Sequence, residues 1–371
     1  MKSFAVKPEI ILFETGKEFC RACRPGKGDL ILSNQYIYEP YLSAHCHGAA
    51  VVYVEKYGTG EPNDEMVEAI AKDIAGQEYK RVFGVGGGTV LDLAKLFALK
   101  TVSPVADLYS KKFPAVKERE LFLVPTTCGT GSEVTNISIL ELKSLGTKMG
   151  LADETLYADH AVLIPELLEG LPFRFFATSS IDAFIHAVES YLSPKANAFT
   201  EMYSVKAIEM ILAGYKKIAG QGEDARLPLL KEFQIASTYA GIAFGNAGCA
   251  AVHAMSYPLG AAYHVAHGES NYVMFTGVLK KYQRLKPQGK IRELKKMLAA
   301  LLECEEEAVY DKLEELLNHL CMKKAIHEYG VPKEELREFT ESVMKGQGRL
   351  MANNYTELSE DDVYEIYGQL W

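Results

Sequence analysis

Short, nearly unbroken apolar runs alternate with segments of helical period over the first half of the chain. Gly28–Ser33 (GDLILS), Ala49–Val54 (AAVVYV), Arg81–Gly86 (RVFGVG), Leu121–Thr126 (LFLVPT) and His160–Pro165 (HAVLIP) lack polar alternation. That pattern predicts strands buried on both faces of a parallel sheet. Between them, residues 63–76 (NDEMVEAIAKDIAG) and 89–100 (TVLDLAKLFALK) repeat apolar side chains at helical spacing. The order predicts a doubly wound α/β layer. Residues 136–153 (NISILELKSLGTKMGLAD) read instead as an antiparallel excursion turned at Leu145-Gly146.

Near residue 178 the texture changes. From TSSIDAFIHAVESYL onward, helical period dominates, as in FTEMYSVKAIEMILAGYKKIAG and AVYDKLEELLNHLCMKKAI. The division expected is residues 1–177 as a mostly parallel α/β domain and 178–371 as an all-helical one.

Composition changes this picture little. The 371 residues are 48% hydrophobic and 24% charged, and the formal net charge is -9. An acidic balance argues against a nucleic-acid binder. The N-terminus MKSFAVKPEIILFETG has no apolar core of a signal peptide. No apolar run reaches the length of a membrane span. Seven scattered cysteines fit reduced thiols, so the expected location is cytoplasmic. CRAC, Cys20 to Cys23, has the spacing of half a zinc knuckle, but no second CxxC follows it, and plain thiols are expected.

Three stretches carry chemistry. In VFGVGGGTVLDLAK a strand ends, three glycines follow and a helix starts near Thr89. Such a turn lets backbone N–H groups meet an anion such as a pyrophosphate, although a tight turn without a ligand reads equally well. It is not the G-x-G-x-x-G fingerprint, and no ribose-reading acid stands in the expected context. VPTTCGTGSEVT, residues 124–135, places hydroxyls and glycines after a buried strand, which suits a nucleotide. It lacks the lysine of a Walker A loop.

The third is SSIDAFIHAVES, where Asp182 and His186 stand four apart on one face of an apolar helix. Alone, the pair reads as a buried Asp–His hydrogen bond. With His253 and His267 of GCAAVHAMSYPLGAAYHVAHGESN, the reading moves to a carboxylate-plus-three-imidazole metal set. The remaining histidine of that stretch, His264, is expected outside the ligand set. His45, His47, His160, His319 and His327 sit in polar or loop-like contexts.

GVGGGTVLDLAK, VPTTCGTGSEVT, DAFIHAVESY and AVHAMSYPLG followed by HG together resemble the iron-containing alcohol dehydrogenase family, in order and spacing, over essentially the whole chain. The resemblance implies an N-terminal dinucleotide-binding domain and a helical metal-binding domain. It implies Asp182, His186, His253 and His267 as ligands of Fe²⁺, with Zn²⁺ open on chemistry alone. Cofactor positions carried over from it are Gly86, Gly87, Gly88, Thr89, Asp92, Thr126, Thr127, Thr130, Ser132 and Lys148.

Two positions depart from the family pattern. Tyr257 replaces a histidine credited with relaying the proton, leaving Tyr257 and His264 as the nearest proton-handling candidates in sequence. Asn34 replaces an acid at the end of the first long strand that repels NADP; NAD is expected from the resemblance, while Asn34 itself leaves NADP open. The implied reaction is oxidation of 4-hydroxybutyrate to its semialdehyde with NAD. The sequence supplies no unique residue to hold the substrate carboxylate; Asn246, Asn271 and Tyr257 are neighbours of the metal set in sequence. A broader primary-alcohol dehydrogenase and a non-catalytic nucleotide- and metal-binding protein are the competing readings. A homodimer without nucleic-acid or membrane partners completes the expectation.

Overall fold

The computed structural model describes residues 4–145 and 147–371. The chain forms two compact units, Val6–Leu171 and Pro172–Trp371, the second joined by Phe4 and Ala5.

The first unit runs β1 (Glu9–Leu12), α1 (Gly16–Cys23), β2 (Asp29–Ser33), α2 (Gln35–Tyr41), β3 (Ala50–Tyr53), α3 (Asp64–Asp73), β4 (Arg81–Gly86), α4 (Gly88–Phe97) and α5 (Val105–Tyr109). It continues through β5 (Glu120–Pro125), β6 (Ile137–Leu142), β7 (Thr147–Ala152) and β8 (His160–Leu163). Six strands form one sheet in the order β1-β8-β5-β4-β2-β3. Every neighbouring pair in it is parallel. The five apolar runs are its strands, with ends shifted by a residue or two. The sixth strand, β1, is a four-residue edge strand with both ends exposed and was not among the runs.

From β2 the chain passes outward to β3, whereas from β4 it passes the other way to β5. The order therefore reverses between β2 and β4. Such a switch point opens a crevice at the carboxyl ends of the strands, where ligands of α/β sheets bind. Ser33 pairs with Tyr53 on one side and Val85 on the other, so all three strands end at one level.

The glycines around β4 serve packing more than openness. A Cβ on Gly84 would lie 2.5 Å from Ala94 Cβ, and one on Gly86 2.5 Å from the Val90 side chain. Both let α4 rest directly on the sheet, over a core that includes Leu30, Leu32, Val82, Leu91 and Leu123. β6 and β7 form the expected antiparallel hairpin, Ile137 opposite Ala152 and Leu142 opposite Thr147. Its expected turn includes Gly146, which lies outside the described residues. The CRAC segment is in α1, where Cys20 Sγ lies 3.3 Å from Cys46 Sγ.

The second unit is helical: α6 (Phe173–Leu192), α7 (Ala198–Gln221), α8 (Leu230–Ala247), α9 (Ala251–Tyr263) and α10 (His267–Leu285). Lys290–Leu302, Val309–Asn318, Leu336–Gly346, Gly348–Met351 and Glu360–Leu370 follow. α6 packs against α7, α8 and α10, and α9 against α10. Residues 180–192 of α6 are all buried. A helix buried on every side is a central helix, and polar residues on it have no solvent to face. Among the described residues no single helix is long and apolar enough to cross a membrane.

Replacing Gly84 by alanine drives a methyl into Ala94. The variant is expected to lower the stability of the Val6–Leu171 unit by about 1–3 kcal/mol, read as an earlier urea midpoint. An unchanged midpoint would contradict the packing role.

Candidate metal centre and dinucleotide cradle

Asp182 lies mid-way along α6, where burial leaves it 2% exposed. Its Oδ1 is 3.5 Å from His253 Nε2 and 3.7 Å from His267 Nε2, and its Oδ2 is 3.8 Å from His186 Nδ1. The His186 and His253 rings stack at 4.5 Å. One ligand atom each from Asp182, His253 and His267 falls within 4.8 Å of the others. Donors held at about 2.0–2.2 Å by one divalent ion stand roughly 3–3.5 Å apart. The Asp182–imidazole spacings of 3.5–3.8 Å fit after small adjustments, while His186 stands outside the close group of Asp182, His253 and His267. His253 Nε2 is buried and makes no hydrogen bond of good geometry, as a nitrogen reserved for a metal requires.

A third group on α6 orders the set. Glu189, seven residues after Asp182, contacts His253 Nδ1 at 2.5 Å and accepts from Ala250 N and Val252 N at 3.1 and 2.7 Å. One buried carboxylate thus holds the start of α9, which has no side-chain cap of its own, and fixes which His253 nitrogen faces Asp182. His267 opens α10. A Cβ on Gly268 would lie 2.0 Å from Thr178 O, so only glycine lets this turn close on α6 beside Asp182.

Charge balance follows. Burial pushes the Asp182 carboxyl up, but His186, His267 and His253 outweigh it and hold it below the usual range. Burial opposes charge on His253, yet Glu189 and Asp182 push its pKa up to about 9. The sequence reading placed no thiol near the donors. Cys249 in fact forms a second group with His186 and His253. Burial, followed by Glu189 and Asp182, pushes its thiol well above the ordinary value, so it stays protonated.

In the other unit, α4 begins at Gly88 behind Gly87, which makes no side-chain cap. Its first N–H groups point out at the β2–β4 switch point, a setting for a phosphate. Around it, a Cβ on Gly88 would press on Thr130 at 2.9 Å, whereas Gly87 has room. Thr126 N donates to Gly86 O at 3.0 Å, joining the hydroxyl-rich loop to the glycine turn. Beneath the loop lies Lys95, fully buried and missed by the sequence reading. It donates to Ser132 Oγ at 2.7 Å, Thr135 Oγ1 at 3.3 Å and Ile137 O at 2.6 Å.

Of the carried-over cofactor positions, Asp92 braces this loop, while Thr89 and Lys148 hold the segment before α3. Asp92 accepts from Ser132 Oγ at 2.6 Å and Ile139 N at 2.9 Å. Thr89 donates to Gly60 O at 2.9 Å, and Lys148 pairs with the next residue, Glu61, at 2.5 Å. Thr127 and Thr130 are half-buried. Asn34 is joined to Glu55 at the end of the neighbouring strand, 2.9 Å from Nδ2 to Oε2. Around the metal donors, Tyr257 is half-buried with its ring 6.1 Å from that of His267. His264 is exposed and ends α9 in the left-handed region, φ 53°. Two candidate carboxylate clamps are engaged elsewhere. Asn246 bonds the backbone of Ala5, and Asn271 is fully buried with Nδ2 2.7 Å from Asp182 Oδ1.

Residues 176–371 match the Fe-containing alcohol dehydrogenase family, C-terminal, and residues 28–165 match the iron-containing alcohol dehydrogenase domain. The chain belongs to the iron-containing alcohol dehydrogenase family. It is 50% identical over 371 residues, all of both chains, to a 4-hydroxybutyrate dehydrogenase of Clostridium kluyveri. It is 36% identical over 313 residues to long-chain-alcohol dehydrogenase 1 of Geobacillus thermodenitrificans, covering 82% of this chain and 77% of that one. Its fold is that of the sulfoacetaldehyde reductase of Bifidobacterium kashiwanohense solved with NAD+, with a TM-score of 0.84, 20% identity, and 100% and 98% of the two chains covered.

Glu189→Gln is expected to weaken divalent-metal binding about 10–100-fold, measured by competition with a chelator. Affinity within about threefold of wild type would remove the residue from the site. A second expectation concerns pH. His253 has a higher pKa in the metal-free fold than its ordinary 6.5, so the stability it contributes is complete below that value and lost as pH rises through about 9. The metal-free Tm should therefore fall between about pH 7 and 10, and fall less with metal bound, because a ligating imidazole carries no extra proton. Parallel pH curves for the two forms would contradict this.

Proposed function

We propose that this chain interconverts 4-hydroxybutyrate and succinic semialdehyde with NAD(H), using iron. The observation that carries the reaction is the 50% identity, without gaps in coverage, to an enzyme of that name. The class is supported independently by one buried carboxylate among three imidazoles in one unit and a helix start without a side-chain cap at a switch point in the other.

Asp182, His186, His253 and His267 hold the ion, and the Val6–Leu171 unit holds the dinucleotide. When bound, Fe²⁺ polarises the alcohol or aldehyde oxygen as a Lewis acid, and NAD accepts the hydride. The protein's own part is to keep the donors ready. Glu189 holds His253 in one orientation, and Asp182 stays ionised at neutral pH because its imidazole neighbours favour the charged form. Lys95 and Asp92 keep the Thr126–Ser132 loop against the glycine turn. Tyr257, at 6.1 Å from the His267 ring, is assigned the hydroxyl proton ahead of the exposed His264.

A broader primary-alcohol dehydrogenase is the second reading, favoured by the engagement of Asn246 and Asn271 away from any free clamp. The enzyme is inferred to be a cytoplasmic homodimer. Among the described residues no two cysteines form a disulfide, and β1 leaves a sheet edge open with Leu12 exposed, a surface on which a second copy would pair. Light scattering in solution reads the dimer.

Anaerobic turnover tests the reaction. NAD-linked oxidation of 4-hydroxybutyrate is expected to exceed that of 1-butanol by about tenfold or more in kcat/KM. Chelation should abolish it and Fe²⁺ restore it. Equal rates with the two alcohols would overturn the carboxylate-specific reading in favour of the broader one.

A further inference from the structure

We propose that Glu55 is the residue by which this chain excludes NADP(H), acting from the neighbouring strand beside Asn34. The inference rests on the reading of the β2–β4 edge as a dinucleotide cradle. With the pyrophosphate at the start of α4, the adenosine ribose extends toward the adjacent strand end, that of β2. β2 closes on Ser33, whose Oγ donates to Val85 O at 2.8 Å, and on Asn34. An acid at that point reads the ribose 2′-hydroxyl and repels a 2′-phosphate. Asn34 has no charge with which to repel.

The missing charge stands one strand further out. β3 runs into a single tight turn, Val54–Lys56. There the Glu55 carboxylate accepts from Asn34 Nδ2 at 2.9 Å and from Gln35 N at 2.7 Å. One bond on each oxygen fixes the group, half-buried, against the side chain that closes β2. Among the described residues no lysine or arginine pairs with Glu55. The adjacent Lys56 lies over the Tyr53 ring, 4.9 Å from its centroid. The bond to Glu55 also orients the amide, leaving Asn34 Oδ1 and one N–H for a ribose hydroxyl.

A 2′-phosphate brings roughly one and a half to two negative charges beside this uncompensated carboxylate. The Asn34–Glu55 pair thus divides between two strands what a single strand-end acid does elsewhere: the amide contacts, the carboxylate repels. No spacing along the chain reveals it, because the two residues are neighbours only once β2 and β3 pair.

The same carboxylate also anchors the start of α2, so the test must separate charge from anchoring. Direct calorimetric binding of NADH and NADPH to the whole protein does so without turnover. Wild type is expected to bind NADPH about 100-fold more weakly than NADH. Glu55→Gln keeps an acceptor for Gln35 N and removes the charge. It should tighten NADPH binding about tenfold or more while NADH changes less than about threefold. The exchange Asn34→Asp with Glu55→Gln reverses the same hydrogen bond, returns the charge to β2 and should restore exclusion of NADPH.

In wild type alone, the NADPH-to-NADH ratio of Kd should shrink as salt rises from about 0.05 to 0.5 M, because ions screen the repulsion. A ratio unaffected by both Glu55→Gln and salt, or a wild type that binds both nucleotides equally, would overturn the proposal. Failure of wild type to bind either nucleotide would overturn the cradle reading with it.

Discussion

A carboxylate buried in an apolar helix is the constraint around which the second unit is arranged. Asp182 sits on α6 among residues with no exposed face, and an ion there is tolerated only when charge and hydrogen bonds surround it. His186 comes from the next turn of the same helix, His253 from α9 and His267 from α10. Each of those helices must therefore approach α6 closely at one point. Glu189 secures the start of α9 through two backbone N–H groups, and Gly268 removes the side chain that would hold α10 away. Packing and chemistry here are one arrangement, since the contacts that close the bundle also set the donors 3.5–3.8 Å from Asp182.

The first unit obeys a different constraint, the direct contact of α4 with its sheet. Gly84 and Gly86 admit the Ala94 and Val90 side chains, bringing the start of α4 to the carboxyl ends of β4 and β2. The loop after β5 is then held from below by a buried ammonium. Burial lowers the pKa of Lys95, opposed by Asp92 and Glu133, while its donors meet two hydroxyls and a carbonyl. The conspicuous hydroxyls of VPTTCGTGSEVT therefore have two uses. Ser132 and Thr135 face this internal network, and Thr127 and Thr130 remain half-buried beside the glycine turn.

What was legible in the sequence follows from how local each signal is. β2, β4 and β5 announce themselves because burial on both faces writes an unbroken apolar run. Asp182 and His186 were readable from a four-residue spacing on one helix. Glu189 lies one more turn along the same face, but a glutamate near a helix end is ordinarily a solvated charge, so its position alone does not signal its bond to His253. Cys249, Glu55 and the bond of Asn271 to Asp182 were not readable, because they depend on which elements become neighbours. At the glycine turn, the close approaches of Gly86 to Val90 and of Gly88 to Thr130 are packing contacts that the sequence alone does not display.

X-ray absorption at the iron edge of anaerobically loaded protein tests the central claim most directly, because it reports the atoms bound to the ion whatever substrate is turned over. A first shell of nitrogen and oxygen alone, with the outer scattering of three imidazoles, is the predicted result. A sulfur scatterer at about 2.3 Å would place the ion with Cys249, His186 and His253 instead and contradict the assignment of Asp182 as the carboxylate at its centre.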